Sequence, residues 1–287
     1  MIIHRDLNLV AAMEKMKLNS IKQIIAVASG KGGVGKSTVS VNLAVALHTL
    51  GCKVGLLDAD IYGPSQALML GGRNVRAESS DGKTVEPVMK HGIASMSIAY
   101  LMPEDKAPAI WRGPMVSGAL QQLLRDTQWG ELDYLIIDLP PGTGDIQLTM
   151  AQKIPVTGAV VVTTPQDVAL IDARKAIEML RKVNIPVFGI VENMSIHACE
   201  KCGHETHIFG HEGGVGLAKE YVVDLLGPIP LARAIREQAD QGVPSVVSDP
   251  KGPYARCFLA IAQKIIERSH LPDLKNSRTF PHIDIDA

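Results

Sequence analysis

Aromatic residues are scarce: four Phe, five Tyr and two Trp make up 4% of the 287 residues, although hydrophobic residues as a whole reach 46%. The core must therefore be built from aliphatic side chains, the composition of buried parallel strands. Cysteine is also rare. Four cysteines, Cys52, Cys199, Cys202 and Cys257, are too few and too unevenly spaced for the disulfide framework of a small secreted domain, so a reducing, cytoplasmic setting is expected. A formal net charge of -1 offers no global field for attracting nucleic acid. Met1 to Leu18 mixes Arg5, Asp6 and Glu14 with apolar residues and so lacks the continuous apolar stretch expected of a signal peptide, and no later run reaches the ~20 uncharged apolar residues of a membrane span. At 287 residues the chain is long enough for one large core.

What is present is a series of apolar runs rich in Ile and Val, separated by turn signals and helix-like stretches. The expected strands are Gln23 to Ser29, Lys53 to Asp58, Tyr134 to Leu139, Gly158 to Thr163 and Val187 to Glu192. The expected helices are Lys36 to Leu50, Val116 to Arg125, Asp167 to Val183 and Tyr254 to Arg268. Such a βαβ series predicts an α/β fold with a mainly parallel central sheet and helices on both faces, carrying ligands at the carboxyl ends of its strands. Residues 71–114 show a weaker pattern, read as a short strand or two plus loops. The domain reading is a leader over 1–20, one nucleotide-binding domain over 21–268 and an extended tail over 269–287.

Residues 30–37 read Gly-Lys-Gly-Gly-Val-Gly-Lys-Ser, matching G-x-x-x-x-G-K-[ST] directly after an expected strand and directly before an expected helix. Glycines let the backbone curl with its N–H groups inward, the helix N-terminus adds positive potential, and Lys36 can reach the terminal phosphates. The nucleotide site is therefore Gly30, Lys31, Gly32, Gly33, Val34, Gly35, Lys36, Ser37 and Thr38, with Ser37 a ligand for magnesium. Two further apolar runs end in carboxylates: Leu56-Leu57-Asp58-Ala59-Asp60 and Leu135-Ile136-Ile137-Asp138. Asp138 suits the Walker B role of holding magnesium through water, and Asp58 could assist near the metal. Pro140 to Asp145 follows as a Gly-rich switch loop, able to approach a γ-phosphate and move when it leaves.

Lys31, inside the loop, is not required by an ordinary P-loop. Lys31 to Ser37 resembles the deviant P-loop class of MinD, ParA, the arsenite-pump ATPase and the nitrogenase iron protein. That resemblance implies a nucleotide-sandwich homodimer in which Lys31 reaches the partner's phosphates. It further implies that Asp60 is a first-switch aspartate orienting the attacking water, and that Asn193 recognises the adenine of ATP. The expected catalytic set is thus Lys31, Lys36, Asp60 and Asp138.

Cys199-Glu200-Lys201-Cys202 lies just after the Val187 to Glu192 run, with His197, His204, His207 and His211 around it. Such a pair fits iron–sulfur or zinc chemistry but supplies only half of the usual ligand set. Either a second copy supplies the rest, or His204 and His207 close a zinc site locally. Asp58 to Ser65, Asp138 to Asp145, Val191 to Ser195 and the C-x-x-C together resemble the Mrp/ApbC family of iron–sulfur cluster carriers, from about Ile21 to Ile266. The resemblance implies a 4Fe-4S cluster bridged by Cys199 and Cys202 of both chains. It also implies a scaffold as cluster donor, apo iron–sulfur proteins as recipients and weak ATP hydrolysis. The alternative is a zinc-binding, nucleotide-dependent regulatory switch. A membrane-switch role would want a basic amphipathic C-terminal helix, whereas 269–287 carries prolines and acidic residues. Cys52 and Cys257 are expected to be buried structural thiols.

Overall fold

The expected alternation of aliphatic strands and helices closes around one sheet in the computed structural model, which describes residues 18–102 and 113–271. Most of the leader, the end of the tail and part of the weakly patterned region lie outside those residues. In chain order the elements are β1 (Ile21–Ala28), α1 (Lys36–Thr49), β2 (Val54–Asp58), α2 (Gln66–Met69), β3 (Val88–Lys90), β4 (Ile93–Met96) and α3 (Gly113–Asp126). There follow β5 (Leu132–Asp138), α4 (Asp145–Lys153), β6 (Gly158–Thr163), α5 (Asp167–Lys182), β7 (Val187–Asn193), β8 (His197–Ala198) and β9 (Glu205–Thr206). The chain continues through α6 (Gly213–Tyr221), β10 (Asp224–Ile229), α7 (Arg233–Asp240), α8 (Ser245–Ser248) and α9 (Pro253–Ser269).

Eight strands form the main sheet in the order β10-β7-β6-β1-β5-β2-β4-β3, parallel except where β3 pairs antiparallel with β4. Successive side chains of β1 alternate between two cores. Ile24, Ala26 and Ala28 face one with residues of α3 to α6, while Ile25 and Val27 face the other with residues of α1, α7, α8 and α9. Leu43 and Leu47 of α1 are completely buried, each burial stabilising the fold by about 1.5–3 kcal/mol. After β1 the chain crosses to β2, on the far side of β5, whereas β6 and β7 extend the sheet on the opposite side of β1. That reversal opens a crevice at the carboxyl ends of β1, β5 and β2.

The expected strands and helices all form, with ends moved by up to two or three residues, and residues 88–96 supply the two short strands expected there. Elements absent from the sequence reading have recognisable causes. β10 contains Gly227 and Pro228, which argue against a strand, but it lies at the sheet edge where proline is tolerated. α6 begins Gly-Gly-Val-Gly, poor helix formers that are held by packing against α5 and β7. Cys52 and Cys257 require a correction: each is half-buried rather than enclosed, although burial still pushes both thiols up in pKa.

Candidate nucleotide site and cysteine ribbon

The loop between β1 and α1 is shaped by its glycines. Gly33 and Gly35 adopt left-handed backbone angles, φ 82° and 84°. Gly30 packs so closely on α5 that a Cβ there would lie 2.0 Å from the Asp172 carbonyl oxygen. Gly35 opens α1 without a side-chain cap, so the first N–H groups of the helix are left for an anion. A cavity of about 220 Å³ results, lined from the loop by Lys31, Gly32, Gly33, Gly35, Lys36, Ser37 and Thr38, and opposite it by Asp60, Ser65 and Pro141. Gly30, Val34 and Asn193 stand behind the loop. Val34 is buried, and Asn193 Nδ2 donates to its carbonyl at 2.8 Å.

Beneath the cavity lies a buried polar network. Lys36 Nζ contacts Asp138 Oδ1 at 2.7 Å and Ser37 Oγ at 3.2 Å, with Lys36 6% and Asp138 0% exposed. Ser40 Oγ donates to the same Asp138 oxygen at 2.8 Å, and Gln66 Nε2 donates to the other at 2.8 Å. The lysine thus touches both groups assigned to magnesium. Two cations cannot share those oxygens cheaply, because like charges repel strongly at such distances away from water.

Asp58 sits beside this network as an anchor for the loop after β2. Its Oδ1 accepts from the Asp60 amide at 3.2 Å. Its Oδ2 accepts from the Ser65 and Gln66 amides at 3.1 Å each and from Ser97 Oγ at 3.0 Å. Its carboxyl pKa is nevertheless pushed up to about 7, first by burial and then by the neighbouring Asp138 charge. With both oxygens occupied, Asp58 organises the loop between β2 and α2 in this structure. Asp60 faces the cavity with its pKa raised by burial against the pull of Lys36. The loop after β5 is tied to the end of β1, where the glycine-rich loop begins, through Gly142 N donating to the Ser29 carbonyl at 2.9 Å.

Cys199 and Cys202 lie at the tip of a two-stranded ribbon, β8 paired antiparallel with β9. Cys199 N donates to the His204 carbonyl at 2.9 Å and Gly203 N to the Cys199 carbonyl at 2.8 Å, with Gly203 left-handed at φ 72°. The Cys199 thiol is held below its ordinary pKa, first by the Cys202 backbone N–H, then by that of Lys201 and by the Cys202 side chain. Donors aimed at sulfur favour the thiolate, the form that binds metal. His207 Nδ1 instead pairs with the Ser195 carbonyl at 3.1 Å, and its ring meets His211 edge-on at 4.3 Å. Among the described residues no group of three or more His, Cys, Asp or Glu side chains is gathered for a metal within one chain. The ribbon is rooted near the nucleotide loop, because Ser195 follows Asn193 by two residues and bonds to the Ile229 carbonyl through both its amide and its hydroxyl.

Residues 20–266 match the family profile described as the NUBPL iron-transfer P-loop NTPases. The chain belongs to that family. It is 56% identical over 263 residues to an iron-sulfur cluster carrier protein of Pseudomonas fragi, covering 90% of this chain and 91% of that one. It is 50% identical over 253 residues to the iron-sulfur cluster transfer protein NUBPL of Mus musculus, covering 88% and 79%. Among solved structures it is similar to a nucleotide-binding protein of Archaeoglobus fulgidus in complex with ADP, at a TM-score of 0.72 and 40% identity over 84% of this chain and 93% of that one. The Pyrococcus furiosus cell division ATPase MinD, at a TM-score of 0.61 and 24% identity, shares the fold.

For this NUBPL-family chain, the sequence reading placed its candidate residues in the loop, at the two acidic strand ends and in the cysteine pair. It missed Ser40, Gln66 and Ser97, the neutral side chains that hold Asp138 and Asp58 in place. Ser40 stands one helical turn after Lys36 and could have been placed beside it from spacing alone. Gln66 and Ser97 carry no local signal.

Proposed function

We propose that this NUBPL-family protein is an ATP- and magnesium-binding carrier. In this reading it holds a 4Fe-4S cluster between two copies through Cys199 and Cys202 of each and delivers it to apo-proteins. A cluster scaffold is the donor, hydrolysis is slow, and the setting is the cytoplasm, with residues 21–268 as the working domain. The observation that carries the reading is the ribbon tip: two thiols, one biased toward thiolate, forming half of a ligand set on a strand extension that braces the nucleotide loop.

The residues present fit the nucleotide and the metal. The loop amides and Lys36 suit the phosphates, and Ser37 and Asp138 suit magnesium, whereas Asn193, assigned to the adenine edge by the resemblance, here spends its amide N–H on the Val34 carbonyl behind the loop. Magnesium, when bound, would neutralise charge on the phosphoryl oxygens. Lys36 would turn from Asp138 to the phosphates, Asp60 would orient the attacking water, and Lys31 would extend toward the partner's nucleotide. Because Asn193 ties the end of β7 to Val34, a shift of the loop would be felt at Ser195 and hence at the root of the ribbon.

The test is anaerobic reconstitution followed by iron, sulfide and zinc counts and a native mass. Wild type should bind iron and sulfide as a dimer, Cys202→Ala should lose them while still binding nucleotide, and Lys36→Ala should lose nucleotide-dependent delivery. A monomer holding a full complement of metal would overturn the reading, and zinc without sulfide would identify the regulatory zinc switch instead.

A further inference from the structure

Gln66 begins α2, immediately after the Asp58 to Ser65 switch loop, and is 1% exposed. Its backbone N–H serves Asp58 at 3.1 Å, and its side-chain Nε2 serves Asp138 Oδ2 at 2.8 Å and the Ser37 carbonyl at 3.1 Å. One residue thus bridges both buried acids and the residue assigned to magnesium. The amide cannot be turned around, because the carboxylate and the carbonyl that it meets are both acceptors. Its Oε1 is therefore fixed in place, and among the described residues this buried atom has no hydrogen-bond partner. An unsatisfied buried carbonyl is costly, so one kept beside a ligand site implies a donor that arrives with the ligand. Lys36 is already committed to Asp138 and Ser37, and Ser40 to Asp138.

Resting on the nucleotide–magnesium reading above, we propose that Gln66 is a positioning residue for the metal, aligning Asp138 through Nε2 while Oε1 accepts a hydrogen bond from a water of the magnesium shell. Magnesium keeps several of its waters when bound beside phosphates, and partners of those waters and of the ligands tune metal affinity. The same contact makes α2, and with it the switch loop, responsive to the metal.

The experiment measures ADP affinity by calorimetry in excess EDTA and across a magnesium titration. Gln66→Met, nearly isosteric but without the amide, should weaken the magnesium response, taken relative to the variant's own metal-free ADP affinity, by about 10–100-fold. Ser40→Ala removes a donor to Asp138 but no orphan acceptor, and should weaken the response less than Gln66→Met. In the wild-type chain, the assigned side-chain NH₂ resonances of Gln66 should move when magnesium is added to the ADP complex, a readout independent of any variant's folding. A magnesium-responsive wild type with unmoved Gln66 resonances, or with Gln66→Met responding normally, overturns the Gln66 proposal alone. A wild type whose ADP affinity ignores magnesium overturns the nucleotide–magnesium reading as well.

Discussion

Lys36→Ala and Asp138→Asn should both disable the nucleotide site, yet they should differ in stability. Their ion pair is short, at 2.7 Å, and buried, but the two partners are not equally trapped. Asp138 is 0% exposed and lies near Asp58, whereas Lys36 lines the open cavity on a flexible stem. In Lys36→Ala the Asp138 carboxylate stays buried without its cation. Losing one partner of a buried pair costs about 3–5 kcal/mol, and the donors that remain, Ser40 and Gln66, put this case near about 3 kcal/mol. In Asp138→Asn the lysine can turn to water, the Ser40 hydroxyl can rotate to accept from the new amide, and Asp58 loses its charged neighbour, leaving a cost of about 1 kcal/mol. For a body of this size those figures correspond to Tm losses of roughly 6–12 °C and under about 4 °C, respectively. Thermal and urea unfolding in EDTA without nucleotide would measure both. An Asp138→Asn variant as unstable as Lys36→Ala, or less stable, would refute the asymmetry.

Asp58 predicts a pH dependence with a definite sign. The folded protein holds its proton up to about pH 7, while the ordinary value is 3.8, so the stability from this group is complete below 3.8 and is lost as pH rises to about 7. Asp58→Asn should flatten that part of the nucleotide-free stability profile, and an unchanged slope between those values would refute it. In the reduced, metal-free protein, iodoacetamide should label Cys199 at lower pH than Cys52 or Cys257, because backbone donors lower the first thiol and burial raises the other two. Peptide mapping that finds all three labelled together would remove the case for a preformed thiolate.

The parts legible in the sequence were those whose physics is local. Gly30 to Ser37 stands out because an anion-binding turn needs glycines, a lysine and a hydroxyl at set spacing. Asp58 and Asp138 stand out because a carboxylate ending an apolar run must lie at a strand tip. The edge strand β10 was hidden because its Gly227 and Pro228 are acceptable only where no second neighbour needs their backbone, a fact set by sheet order. The half-exposure of Cys52 and Cys257 likewise depends on what packs above them, which no residue type announces.

By itself, then, the chain's order of residues determined an aliphatic α/β body, a phosphate loop, two acidic strand tips and a pair of thiols, since backbone geometry and hydropathy act over a few residues. Only the tertiary structure decided that Lys36 would meet Asp138, 102 residues away, that Gln66 would span two buried acids, and that Asn193 would brace the loop at Val34. Those pairings follow from the strand order β7-β6-β1-β5-β2 and from the exclusion of water at its carboxyl end, where buried polar groups find their partners across the fold rather than along the chain.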